Sequence, residues 1–217
     1  MRKLNRTRSP ACLNNYRHGK DEWHCVSGAD KVELWRQLEA MQGTFCAYCE
    51  RRLNDKKHIE HFFRRREKPQ MTFEWTNLFG SCNDVNSCGN YKDNKAPSTI
   101  DMSAVCKPDS MDPADYLVFV ADGTVVPREG LSESATKIAH NTILIFNLNG
   151  NSKLVGKRRQ VARIGRQSAQ DYFELLSEYS ENGDLEVQEL LESERNENLA
   201  KFENEEHSAV LRQIWSF

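Results

Sequence analysis

Residues 45–92 read FCAYCERRLNDKKHIEHFFRRREKPQMTFEWTNLFGSCNDVNSCGNYK, and four of the chain's seven cysteines lie in this stretch. Cys46 and Cys49 form a CxxC knuckle. Cys82 and Cys88 form a second, looser pair with five residues between them. A knuckle followed at a distance by a second close pair is the pattern of a structural zinc site, where four thiolates close a tetrahedron. The small polar insert at 83–87 can loop out without disturbing the ligands. A redox-active CxxC, or a set of unpaired core thiols, is the competing reading. The stretch is too sparse in apolar residues to fold alone, so a metal would supply folding energy. Cys12, Cys25 and Cys106 have no such partners and are expected to bury as small hydrophobes.

Glu60 and His61 sit between the two cysteine pairs. Neighbouring residues on a strand point to opposite faces, but at a strand end both can flank one ion. Hydrolysis of a phosphodiester needs a base to activate water and a cation to stabilise the leaving oxygen. A neutral imidazole suits the first task and a carboxylate on Mg²⁺ or Mn²⁺ suits the second. Arg64, Arg65 and Arg66 follow closely and could grip phosphates, or simply form a solvated face. Phe62, Phe63, Phe73 and Trp75 are expected to pack a small core. His58 reads as a flanking strand residue. Outside this setting a Glu-His pair would be an ordinary surface pair.

Working outward, the 217 residues are 38% hydrophobic and 29% charged, with net charge -2. No stretch approaches the roughly 20 apolar residues of a membrane span. The opening MRKLNRTRSP is basic with no apolar run behind it, unlike a secretory signal. A reducing cytoplasmic setting is expected, where close cysteine pairs bind metal or do redox work. Charge is uneven. Residues 1–95 hold 18 Lys and Arg against 12 Asp and Glu, whereas 174–217 hold 3 against 12. The basic front suits a polyanion, and the acidic end would repel one.

The expected architecture is α+β and mainly helical, with a small zinc-stapled module and a β-hairpin. Ala29–Met41 carries apolar residues at helical spacing and ends at Gly43. Asp122-Gly123, between two β-branched runs, predicts the hairpin. Ser132–Leu148 and Lys153–Ser180 read as helices, with Asn182-Gly183-Asp184 as a break. Two helical pieces are expected within 185–217, parted near Asn196–Asn198. Four regions result: an N-terminal arm and helix (1–43), the cysteine module (44–95), a hairpin and helical region (96–173) and an acidic helical tail (174–217). Deleting 185–217 is expected to leave the module folded.

The order CxxC, Glu-His, Asn-Leu, second cysteine pair and lysine resembles HNH endonucleases of the ββα-metal fold. More narrowly, residues 1–165 resemble the Septu-type antiphage HNH nucleases, some of them retron-associated. MRKLNR, CAYCERRL, HIEHFFRR, FEWTNLFGSC, SCGNYKD, DPADYLVF, DGTVVP, ATKIAHNTILIFNLN and Arg158 carry this resemblance. It implies His61 as general base, Glu60 as the acidic ligand of a catalytic Mg²⁺ or Mn²⁺, and Asn77 bracing the histidine loop. It also implies Lys92 on phosphate, and products ending in 3′-hydroxyl and 5′-phosphate. The chain departs from the pattern at Gly89, where the family usually has an Asn, Asp or His. Asn90 is the nearest substitute ligand, and Asp93 lies one turn further on.

The resemblance implies an SMC/ABC-like ATPase partner and possible company with a retron reverse transcriptase and its DNA–RNA product. The substrate would be DNA or RNA, such as tRNA. A zinc-stapled nucleic-acid-binding or adaptor subunit with a decayed nuclease site is the alternative, and Gly89 favours it.

Overall fold

Ser27 converts the irregular N-terminal arm into helix. Its hydroxyl accepts a hydrogen bond from the Asp30 amide, satisfying one of the free N–H groups at the start of α1 (Gly28–Gln42). Leu34, Leu38 and Met41 turn inward from this helix, and Gly43 closes it at φ +66. The computed structural model of the chain describes residues 1–182 and 185–216.

The architecture is mixed α+β, with two small antiparallel sheets. In the first, β1 (Lys57–His61) pairs with β2 (Leu78–Cys82), placing Glu60 opposite Phe79 and His61 opposite Leu78. The Gln42 side chain closes on β2 at Gly80. Its Nε2 donates to the Gly80 carbonyl at 2.8 Å, and its Oε1 accepts from the Gly80 amide at 2.9 Å. A Cβ at Gly80 would strike Gln42 and Trp35, so the close approach of α1 demands glycine there. The short helix α2 (Cys88–Asn94) follows the polar loop after β2.

The second sheet is the hairpin β3 (Leu117–Phe119) and β4 (Val125–Pro127). Asp122 accepts from the Thr124 amide in its turn, and Gly123 adopts φ +90. Then come α3 (Glu133–Ile145), capped by Ser132, and the long α4 (Ser152–Asn182). The last two helices are α5 (Leu185–Phe202) and α6 (Ser208–Ile214). Among the described residues, no helix is long and apolar enough to cross a membrane.

One apolar core runs from Met1 and Leu4 through Leu38, Tyr48, Phe79 and Phe146 to Leu154. It draws on all three of the regions expected within 1–173. The expected boundary at 173/174 falls inside α4. A second cluster gathers Ala169, Tyr172, Leu191 and Trp215, so the acidic end packs on its own α4. The tail is two helices, but α5 runs through Asn196–Asn198 and the chain turns at 203–207 instead. His207 supplies that turn in the left-handed conformation at φ 58. Gly183 and Asp184, named in the sequence reading, lie outside the described residues, as does Phe217. Cys106 is buried and Cys12 partly so, but Cys25 is exposed. Its 3₁₀ turn directs Trp23 inward, against His61 and Phe73, and leaves the thiol outward.

His207 is 1% exposed, and its Nε2 is buried without a partner. Burial brings its pKa from 6.5 down to about 4, against the opposing pull of Glu50. The unfolded chain therefore takes up a proton that the folded chain refuses between pH 6.5 and 4. Stability falls with pH across that window by about 3 kcal/mol from this residue. Urea unfolding of wild type and His207→Asn at pH 7 and pH 5 checks this. The variant is expected to show the shallower loss on acidification.

Candidate metal centre and the Glu60–His61 site

The knuckle is a tight reversal between Phe45 and Arg52. The Cys46 amide donates to the Arg51 carbonyl at 2.9 Å and the Glu50 amide to the Cys46 carbonyl at 3.0 Å. Glu50 takes φ 62 at the turn. Cys82 ends β2, and Cys88 opens α2 at φ 60, with its amide on the Phe146 carbonyl. The four sulfurs lie within 4.8 Å of one another, and Cys49 Sγ is 3.8 Å from Cys82 Sγ. A tetrahedral ion with metal–sulfur bonds of about 2.3 Å has edges of about 3.8 Å, so this set could hold a metal such as zinc.

Two cations flank the sulfurs. Arg51 donates to Asp84 at 2.7 Å and reaches Cys82 Sγ at 3.5 Å. Burial disfavours its charge, but Cys49, Asp84 and Cys82 outweigh that and raise its pKa. Arg158, 2% exposed, donates to the Gly123 and Leu148 carbonyls. Burial lowers its pKa to about 10, with Cys49, Cys88 and Glu50 opposing. Such outer charges offset the negative charge of a four-thiolate site.

Glu60 and His61 end β1, both buried. Glu60 Oε1 stands 2.8 Å from Lys92 Nζ, and Oε2 is 3.2 Å from His58 Nε2. Burial would raise the Glu60 pKa, but Lys92 and His58 outweigh it and lower the value. His61 Nε2 is 3.0 Å from the Thr72 carbonyl. A carbonyl only accepts, so Nε2 carries the proton and Nδ1 keeps its lone pair. Burial brings the His61 pKa down to about 4, against Glu60 and Thr72, so the imidazole is neutral at pH 7. The Trp23 ring meets it edge-on at a centroid distance of 4.5 Å.

Asn77 is fully enclosed. Its Oδ1 accepts from the Phe63 amide at 2.7 Å, and its Nδ2 donates to the Phe63 and Met71 carbonyls at 3.1 Å. It locks the 62–72 loop that carries Thr72 against His61. The arginine run divides. Arg64 is buried and caps α2 through the Lys92 carbonyl at 2.7 Å, whereas Arg65 and Arg66 are exposed. Lys92 is enclosed as well. Its ammonium touches Glu60, the His61 carbonyl at 3.0 Å and Asp93 at 2.5 Å. As placed, Arg64 and Lys92 present no charge to a solvent-borne phosphate.

Of the expected divalent set, Glu60 and Asp93 both engage the Lys92 ammonium, and Asn90 is engaged by other side chains. Asn90 bonds Asn83 and Asn94, and Asp93 faces the Lys92 ammonium. Among the described residues, the cysteine set is the one group of three or more Cys, His, Asp or Glu placed to share an ion. Gly89 explains part of this. A Cβ there would collide with Glu60 Oε2 and stand 2.5 Å from its Cδ, so the carboxylate fills the space of a residue-89 side chain. Gly89→Asn, which introduces a residue type usual in HNH sequences, is expected to displace Glu60 from Lys92 instead of adding a ligand. The expected cost is about 1–3 kcal/mol in urea unfolding, as for overpacking of a core.

His58 lies in β1, as a flanking strand residue, and shares a strand face with Glu60, 3.2 Å from its Oε2. No known family model and no curated protein matches the chain.

Proposed function

We propose that the chain is a metal-dependent HNH-type endonuclease that hydrolyses phosphodiester bonds of DNA or RNA. The observation that carries this reading is the state of His61. It is a neutral imidazole oriented through Nε2 by the Thr72 carbonyl, directly after a buried carboxylate. It stands on a β1–β2–α2 unit whose ends the four cysteines draw together. Zinc is the proposed ion of that cluster, because four cysteine sulfurs with no open position suit a structural tetrahedral site.

In this reading His61 Nδ1 takes a proton from the water that attacks phosphorus. A divalent ion at Glu60, when bound, would supply charge stabilisation to the developing oxyanion. Asn77 keeps the Thr72 carbonyl in place and so keeps the His61 tautomer. Exposed Arg65 and Arg66 meet flanking phosphates. Lys92 holds the Glu60 carboxylate.

The resemblance to Septu-type nucleases extends the proposal to antiphage defence with an SMC/ABC-like ATPase. The burial of His61, with the Trp23 edge against it, favours a chain that is restrained when alone. The test is incubation with plasmid DNA and with tRNA plus Mn²⁺ or Mg²⁺, with and without the co-expressed ATPase. Cleavage leaving 5′-phosphate ends, dependent on the ATPase, is expected. No cleavage under any of these conditions would sink the reading. A zinc-stapled binding subunit without catalysis is the second reading. It is favoured by Gly89 and by the Lys92 ammonium against Glu60.

A further inference from the structure

We infer that a divalent cation at this site is held by His58 and Glu60, not by Glu60 with Asn90 or Asp93. This deepens the nuclease reading and rests on it for the role of the ion, though not for its binding.

The two residues lie two apart on β1, so the pleat places them on one face. Their donor atoms, His58 Nε2 and Glu60 Oε2, are 3.2 Å apart. Adjacent donors on an octahedral ion with bonds near 2.1 Å are about 3.0 Å apart, so the pair already has the spacing of one coordination edge.

Three surrounding features hold Oε2 in that role. Lys92 engages the other oxygen, Oε1, and fixes the carboxylate plane. That ammonium does not donate a well-aligned hydrogen bond, and Oε1 is otherwise without a partner on a side chain 1% exposed. Gly89 leaves the volume that Oε2 occupies. Asp93 sits 2.5 Å from the same ammonium. Asp93 therefore offsets the Lys92 charge, and with Arg64 beside Asp93 and Glu67 on Arg64 the cluster of Glu60, Lys92, Asp93, Arg64 and Glu67 carries net -1. A divalent ion and one phosphodiester charge then sum with it to zero. Without Asp93, the ammonium would cancel Glu60 and repel the ion.

His58 is 30% exposed, while Glu60 is enclosed, so the imidazole is the solvent-side member of the pair. Water and a phosphate oxygen would complete the coordination from that side. An imidazole donor selects the ion, since it suits first-row transition metals and carboxylate-only sites suit Mg²⁺. The site should therefore prefer Mn²⁺ over Mg²⁺.

The experiment uses the full chain with its cysteine site loaded. Mn²⁺ alone is titrated by electron paramagnetic resonance, and the bound ion is probed for ¹⁴N coupling. One Mn²⁺ per chain with imidazole ¹⁴N coupling is expected. His58→Ala should lose the coupling and bind Mn²⁺ at least about tenfold more weakly, and His58→Gln should lose the coupling while keeping the strand intact. Asn90→Ala should bind as wild type, and Asp93→Asn should weaken binding without removing the coupling. Unchanged coupling and affinity in both His58 variants, or loss of Mn²⁺ in Asn90→Ala, would overturn the assignment. Coupled Mn²⁺ on a chain that cleaves nothing would leave this site standing and remove the nuclease reading. Cleavage without any His58 coupling would do the reverse.

Discussion

Cys46→Ser is expected to lose the cluster's metal and to destabilise the whole chain, not just residues 44–95. A structural zinc site of this kind contributes roughly 10–16 kcal/mol of binding energy to folding, and loss of one thiolate forfeits much of it. The effect spreads because the knuckle has no core of its own. Tyr48, between Cys46 and Cys49, stacks on Phe146 at the end of α3 at 4.0 Å. The Cys88 amide is bonded to the Phe146 carbonyl. When the sulfurs separate, α2 and α3 lose their shared anchor. A domain's total stability is about 5–15 kcal/mol, so the variant should populate unfolded or aggregated chain at 25 °C. Metal analysis with thermal melting checks this. A Cys46→Ser chain with wild-type melting and full metal content would mean that the cysteines are simply packed thiols.

Deleting residues 185–217 is expected to have the second-largest effect, the reverse of what the charge pattern suggests. The reason is Glu50, the residue after Cys49. Its carboxylate is 1% exposed and is held by the Met1 amino group at 2.5 Å, by Arg2, by Ser208 Oγ and by the Ala209 amide at 3.0 Å each. Burial would raise its pKa, but the Met1 amine and Arg2 outweigh burial and bring the value to about 2. Removing α6 strips two hydrogen bonds from a buried charge, each worth about 1.5–3 kcal/mol. It also uncovers Tyr172 and Ala169 on α4. The expected loss is about 5 kcal/mol or more, with reduced metal content because the knuckle turn itself is affected. Urea unfolding and metal analysis of the truncated chain check this. Undiminished metal and stability would restore the tail as a separable appendage.

Much of the local structure was legible because its causes are local. Helical spacing marked α1 and α3, which the structure caps at Ser27 and Ser132, and Asp122-Gly123 is a turn whichever core it joins. The cysteine set was legible because metal ligands come in short spacings. What the sequence hid depends on contacts between distant residues. Gly89 looked like a missing ligand, and its cause is the Glu60 carboxylate, 29 positions earlier, in the same volume. The arginine run looked uniform, but Arg64 alone turns in to cap α2. The contact of His58 with Glu60 Oε2, beside Lys92 on Oε1, likewise joins residues from two elements. The acidic tail looked detachable because composition does not record that Ser208 meets Glu50, 158 residues away.

The most direct test of the nuclease reading is a single-turnover cleavage assay of His61→Ala and His61→Asn against wild type. Each is metal-loaded, assembled with the proposed ATPase partner and supplied with Mn²⁺. Loss of a general base lowers the rate by about 10²–10⁴-fold, and both variants are expected to fall in that range with the cysteine-bound metal retained. Cleavage at the wild-type rate by a metal-loaded His61→Ala chain would contradict the account.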